Sequence, residues 1–314
     1  MREIAGQIPK NSLELISTIV WNVAGVKVSS LEHITGLGMN NSVSVAETSS
    51  GRLVVRTNVE SHLFRFQREA WCYRRLEGSP VLTPKVLACG IAAGHSYSVA
   101  QYIEGSAPIG DGIDRLKVWK TLGMYASYLN QVVAPAANCV ESSYFPISWE
   151  EQVALDVDLI FKDEFWLQRG VLTLKQQELM RGYLLDCANN AFMLGVCQFD
   201  LTIANAVICE ADYKRIFLLD LESANIAPVP YYQLACIAAD QGPTSEAYGA
   251  FLAGYGLKNE AQAASELNRF TLYRVLRAAA WARDRCPSLI EENLRRSRPI
   301  IELTLAKYIA EAKP

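Results

Sequence analysis

The feature that most constrains this chain is a change of texture near residue 105. Before it, strand-like runs crowd together. "VSSLEHI" (28 to 34), "SVSVAE" (42 to 47) and "RLVVRTN" (52 to 58) are short and β-branched, and "TSSG" turns the second into the third. "KVLACGI" (85 to 91) and "SYSVAQYI" (96 to 103) flank the turn-like "AAGH". Between the two groups lies "HLFRFQREAWCYRRLE" (62 to 77), where Leu63, Phe66, Ala70, Tyr73 and Leu76 recur at helical spacing until "GSP" stops them. This predicts a small antiparallel sheet with one helix.

After the polar, Gly-rich "EGSAPIGDG" the periodicity is helical. Helices are expected over 114 to 133 and 173 to 195, the second opened by a capping box from Thr173 to Gln176 and with a break near "CANN". A further helical series runs from "YYQLACIAAD" to the end. Two strand candidates interrupt this region, "NAVICEA" and "KRIFLLDLE", joined by "ADYK" as a hairpin would be. The expected fold class is α+β with two lobes: residues 1–104 as a sheet-rich lobe and 105–314 as a helical one.

Composition narrows the function. The chain has 314 residues, half of them hydrophobic, and a formal charge of -3. It can bury a large core, and it carries no basic surplus to draw it to nucleic acid. The run "NLRRSRP" reads as a solvated helix end. Eight isolated cysteines without CxxC spacing suggest core thiols in a reducing compartment, and no stretch offers about 18 uncharged apolar residues to span a bilayer. The expectation is a cytoplasmic protein with no membrane or nucleic-acid partner, monomeric or homodimeric. His33, His62 and His95 form no zinc-type spacing, and Trp119, Trp166 and Trp281 read as core anchors among helical apolar residues.

The chemistry concentrates around "QFDLTIANAV" (198 to 207) and "LDLES" (219 to 223). Taken alone, Asp200 and Asn205 are adequately explained as loop residues that satisfy backbone groups. The predicted hairpin, however, brings Asp220 toward the same edge. Two carboxylates and an amide suit phosphoryl transfer, in which one acid takes the acceptor proton while hard oxygens hold Mg²⁺.

In these segments the chain resembles the protein-kinase-like phosphotransferases of the aminoglycoside phosphotransferase and choline kinase superfamily. "QFDLTIAN" keeps the spacing of their His-Gly-Asp-x4-Asn loop, and "LDLES" resembles their Asp-Trp/Phe-Glu segment. "GLGMNNSVSVA" stands in the phosphate-loop position, "LVVRTN" in the third-strand position that usually ends in lysine, "FQREAWCYRRL" in the partner-glutamate helix and "VAQYIEG" at the hinge. The ordered match covers roughly residues 30 to 256.

The resemblance implies a catalytic Asp200 and Mg²⁺ held by Asn205 and Asp220. It implies ATP contacts from Gly36, Gly38, Asn40, Asn41, Ser42, Arg56, Glu69, Ala100, Gln101 and Tyr102. Glu222 is open between a metal contact, a contact to a cationic substrate and a solvated or structurally paired carboxylate. The implied activity is ATP-dependent phosphorylation of a hydroxyl on a small molecule such as an aminoglycoside-like antibiotic, amino alcohol or specialised metabolite. Two departures stand out: Arg56 replaces the usual lysine, and Gln198 and Phe199 replace the usual His-Gly. They motivate the rival reading, a kinase-like nucleotide-binding or regulatory protein without turnover.

Overall fold

The computed structural model describes residues 12–34, 41–110, 112–188, 192–209, 213–257 and 260–311. Along the chain come α1 (Ser12–Ala24), β1 (Val28–Ile34), β2 (Ser42–Thr48), β3 (Gly51–Val59), α2 (Leu63–Leu76), β4 (Val86–Ala92) and β5 (His95–Gln101). Then follow α3 (Arg115–Leu129), α4 (Trp149–Ile160), the single turn α5 (Phe165–Gln168), α6 (Leu174–Leu185), β6 (Leu194–Gln198), β7 (Ala206–Ile208), β8 (Ile216–Leu218) and β9 (Ala224–Pro228). The chain finishes with α7 (Tyr231–Gln241), α8 (Glu246–Tyr255), α9 (Glu260–Arg285) and α10 (Ile290–Glu311). By packing it divides into two units, neither of them continuous in sequence. One is Met1–Asp114 with Pro135–Phe145 and Thr202–Ala224, and the other is Arg115–Ala134 with Pro146–Leu201 and Asn225–Pro314.

The first unit is built on an antiparallel sheet of order β1-β2-β3-β5-β4. Strand alternation divides its residues between two faces. Val55, opposite Ser44 and Val99, joins the core that Ile16, Ile19 and Val20 of α1 close over one face. Arg56, the next residue, therefore points to the opposite face. The β7–β8 hairpin belongs to this unit because its backbone is stitched to it: Ser106 and Ile208 exchange N–H to carbonyl bonds of 3.0 and 2.9 Å, and Leu218 N–H donates to the Leu82 carbonyl at 2.8 Å. Gly105 permits that approach, since a Cβ there would stand 2.5 Å from the Ile208 oxygen.

The second unit packs helices around an aromatic core that includes Trp149, Trp166, Tyr232, Phe270 and Tyr273. The buried indole N–H groups are satisfied, Trp149 donating to the Cys187 carbonyl at 2.7 Å and Trp166 to that of Ile160 at 2.8 Å. Trp119 and Trp166 are core residues as expected. The capping box of Thr173 and Gln176 is present at the start of α6.

Helices α1 and α4 and strands β6 and β9 are additional to the sequence reading. The helix expected to run to 195 ends at Leu185, and residues 194–198 form β6, which pairs with β9; this pair is additional to the two strands anticipated in the region. The reason lies in burial. Val196 and Cys197 are fully enclosed, and a short continuous apolar run has no period to separate strand from helix.

All eight cysteines are free, and Cys72, Cys187, Cys197 and Cys236 are buried. Burial pushes the Cys72 and Cys236 thiols up to about 12. Titration of the native protein with a thiol reagent at pH 8 should therefore reach at most Cys89, Cys139, Cys209 and Cys286 promptly, and all eight only in denaturant.

Candidate active site

In the first unit the charged residues converge on the sheet face opposite α1. Glu69 of α2 is 1% exposed, and each of its oxygens is engaged. One is ion-paired with Arg56, while the other accepts the Tyr73 hydroxyl at 2.7 Å and the Leu221 N–H at 3.2 Å. A buried carboxylate is tolerable only when paired in this way. The second arm of Arg56 lies 3.6 Å from the Asp220 carboxylate. A lysine could supply the charge but not the planar fork that spans two acids.

Asp220 lies just beyond β8 in a left-handed conformation, φ 59° and ψ 60°. The hairpin register sets Ala206 opposite Leu218, and Leu219 N–H donates to the Asn205 carbonyl at 2.8 Å. Asn205 and Asp220 thus reach the same end of the hairpin, as the spacing predicts. Desolvation raises the Asp220 carboxyl above the usual range, the neighbouring Glu222 charge adds to this, and Arg56 opposes it.

Arg68 is a component that the sequence reading missed. Its Nε donates to the Tyr144 carbonyl at 2.7 Å and its Nη1 to those of Ala224 at 2.8 Å and Glu222 at 3.4 Å. Burial lowers its pKa to about 10, which leaves it protonated at neutral pH. The only sequence signal is its place next to Glu69.

Of the expected phosphate-loop residues, Gly36, Gly38 and Asn40 lie outside the described residues. Ser42 opens β2 opposite Thr57. Asn41 donates to Glu222 Oε2 at 2.6 Å and accepts from the Asn58 amide at 2.7 Å. At the expected hinge, Ala100 is paired within the sheet opposite Val54 and Val86. Gln101 N–H donates to the Lys85 carbonyl at 2.9 Å and Tyr102 N–H to that of Arg52 at 3.3 Å. The Arg52 guanidinium lies 3.8 Å from the centre of the Tyr102 ring.

Asp200 belongs to the second unit, two residues past β6. Gly195 lets that strand run against α3's exit, where a Cβ would meet the Asn130 oxygen at 2.3 Å, and the Asn130 amide donates to the Val196 carbonyl at 2.8 Å. Gln198 is gripped at both backbone groups by one side chain: its N–H donates to Gln233 Oε1 at 2.8 Å and its carbonyl accepts from Gln233 Nε2 at 3.1 Å. The Phe199 ring lies 4.6 Å from that of Tyr232. The two residues that replace His-Gly are thus held by adjacent positions of α7. Arg274 of α9 pairs with Asp240 at 3.7 Å, and Asp200 is among the charges that keep its guanidinium protonated.

Among the described residues, no cluster of three or more His, Cys, Asp or Glu side chains is arranged to hold a metal. The donors offered by Asn205 and Asp220 are an amide oxygen and a carboxylate. That set suits Mg²⁺, which takes one or two protein oxygens and completes its octahedron with water and phosphate.

The sequence matches no protein-family model and no curated protein. Solved structures do match. The GDP complex of wild-type aminoglycoside 2'-phosphotransferase-IIIa aligns with a TM-score of 0.66 at 15% identity, over 94% of this chain and 100% of that one. A thermostable mutant of aminoglycoside phosphotransferase APH(4)-Ia, apo form, gives 0.62 at 15% identity, over 92% and 99%. Spectinomycin phosphotransferase APH(9)-Ia, in complex with ADP and spectinomycin, gives 0.57 at 12% identity, over 93% and 97%. The chain has the protein-kinase-like fold of the aminoglycoside phosphotransferases, α+β with a five-stranded antiparallel sheet and a mainly helical remainder.

Proposed function

We propose that this protein is an ATP-dependent phosphotransferase acting on a hydroxyl of a small molecule. The observation that carries the reading is the cluster of Arg56, Glu69 and Asp220, assembled within a fold whose solved relatives hold nucleotides and aminoglycosides. Arg56, fixed by Glu69, contacts the nucleotide phosphates. Asn205 and Asp220 hold Mg²⁺, which when bound neutralises charge on the phosphate oxygens.

Asp200 orients the acceptor hydroxyl. As the hydroxyl oxygen bonds to the γ-phosphorus, its proton passes to an Asp200 carboxylate oxygen. The bond from that phosphorus to the β,γ-bridging oxygen breaks, and ADP leaves with the electron pair. The acceptor class is an aminoglycoside-like antibiotic, an amino alcohol or a specialised metabolite. Among the described residues, no helix is long and apolar enough to cross a membrane, and the eight free thiols fit a reducing cytoplasm.

A specific pair of features supports the regulatory alternative: Arg56 stands where lysine is usual, and Gln198-Phe199 where His-Gly is usual. Incubation with γ-labelled ATP, Mg²⁺ and a panel including kanamycin, hygromycin B, spectinomycin and choline separates the two. The expected result is label on at least one acceptor and its loss in Asp220→Ala. Mg²⁺-dependent stabilisation by ATP without transfer to any acceptor would favour the regulatory reading. Folded protein indifferent to nucleotide would remove both.

A further inference from the structure

Glu222 is the carboxylate whose role the acid segment leaves open, and its contacts assign one. It is 4% exposed, and its Oε2 accepts the Asn41 amide at 2.6 Å, a short charge-assisted bond across 181 residues of sequence. Asn41 is fixed from its other side by the Asn58 amide of β3, 2.7 Å away. The backbone around Glu222 is equally constrained, with Arg68 on the carbonyls of Glu222 and Ala224 and Glu69 on the Leu221 N–H. Asn41 immediately precedes β2, on the exit of the segment read as the phosphate loop. The bond therefore joins that exit to the segment carrying Asp220.

We propose that Glu222 is a positioning residue, a strut that fixes Asn41 at the start of β2 in register with the segment carrying Asp220, and not a metal ligand. The role rests on the phosphotransferase reading given above. Catalysis by placement requires phosphate and metal donors to keep a fixed spacing, and the Asn41–Glu222 bond ties the start of β2 directly to the segment carrying Asp220.

The test exchanges the two partners. Asn41→Asp sets a second carboxylate against Glu222 and should raise the KM for ATP about tenfold or more, with a smaller change in kcat. Glu222→Gln retains an acceptor oxygen and should cost about threefold or less. In the double variant, the carboxylate introduced by Asn41→Asp accepts from both the Asn58 amide and the new glutamine amide, so KM should return to within about threefold of wild type. Melting without nucleotide should follow the same order, lowered by Asn41→Asp and restored in the double variant.

A metal ligand would behave otherwise. Glu222→Gln alone would then shift the Mg²⁺ dependence of ATP-induced stabilisation, and the exchange would rescue nothing; either result overturns the strut. An intact wild-type nucleotide response without rescue sinks the strut alone, whereas a wild-type protein that binds no nucleotide sinks the phosphotransferase reading and this role with it.

Discussion

Asp200→Ala is expected to lower kcat by about 10²–10⁴ while leaving stabilisation by ATP and Mg²⁺ close to wild type. The separation follows from the proposed roles, in which Arg56, Asn205 and Asp220 hold nucleotide and Asp200 meets only the acceptor. Asp200→Asn sharpens the experiment because the amide keeps the shape and hydrogen-bonding reach but cannot take a proton. Steady-state transfer beside nucleotide-induced melting shifts measures both quantities on one preparation. An Asn variant that kept more than about a tenth of kcat would remove Asp200 as proton acceptor, since general-base removal costs at least that much. The neighbouring replacements do not weaken the expectation, because Gln233 fixes the Gln198 backbone and Tyr232 packs on Phe199.

Gly254→Ala should be the most damaging of the conservative substitutions for stability. Helices α3 and α8 cross with their backbones in contact: a Cβ on Gly254 would fall 1.8 Å from the Lys120 carbonyl oxygen, and one on Gly123 2.0 Å from that of Phe251. Neither obstacle is a side chain that can rotate away, so the helices must separate. The cost is about 2–4 kcal/mol, or roughly 3–6 °C in Tm for a chain of this size. Gly249 lies in the same helix and supplies the control. Nothing stands within 4 Å of its Cβ position, so Gly249→Ala should stabilise by up to about 1 kcal/mol through helix propensity alone. Thermal melts of the two variants should move in opposite directions. Two losses of equal size would show that α3 and α8 do not meet closely at Gly254.

Much of the sheet-rich unit was legible because its strands alternate and its turns are marked. Predicted and observed strand limits there differ by at most one residue, apart from β5, whose tail "YI" leaves the sheet. Helix α1 went unassigned although Ile16, Ile19 and Val20 carry helical spacing, since such a stretch shows its role only when there is a sheet face for it to cover. The buried strands β6 and β9 lacked any period to read. At the site, Asp220 was legible from the predicted hairpin and Arg56 and Glu69 from the family resemblance, and the structure brings them together. Arg68, Tyr73, Asn58 and Gln233 were not. Their partners are backbone groups or side chains chosen by tertiary packing, and an ordinary arginine or glutamine carries no mark of the carbonyl it will meet.

The grip of α2 on the acid segment has a consequence for regulation. Withdrawing this helix would break the Arg56–Glu69 pair and strip the Leu221 N–H and the Glu222 and Ala224 carbonyls of their partners in one movement. Each orphaned buried group costs about 1–3 kcal/mol, so a helix-out form would be populated far below one molecule in a thousand. Helix and acid segment then behave as a single casting with no separate off position. On the phosphotransferase reading proposed above, turnover then follows the supply of nucleotide and acceptor and not a movement of α2.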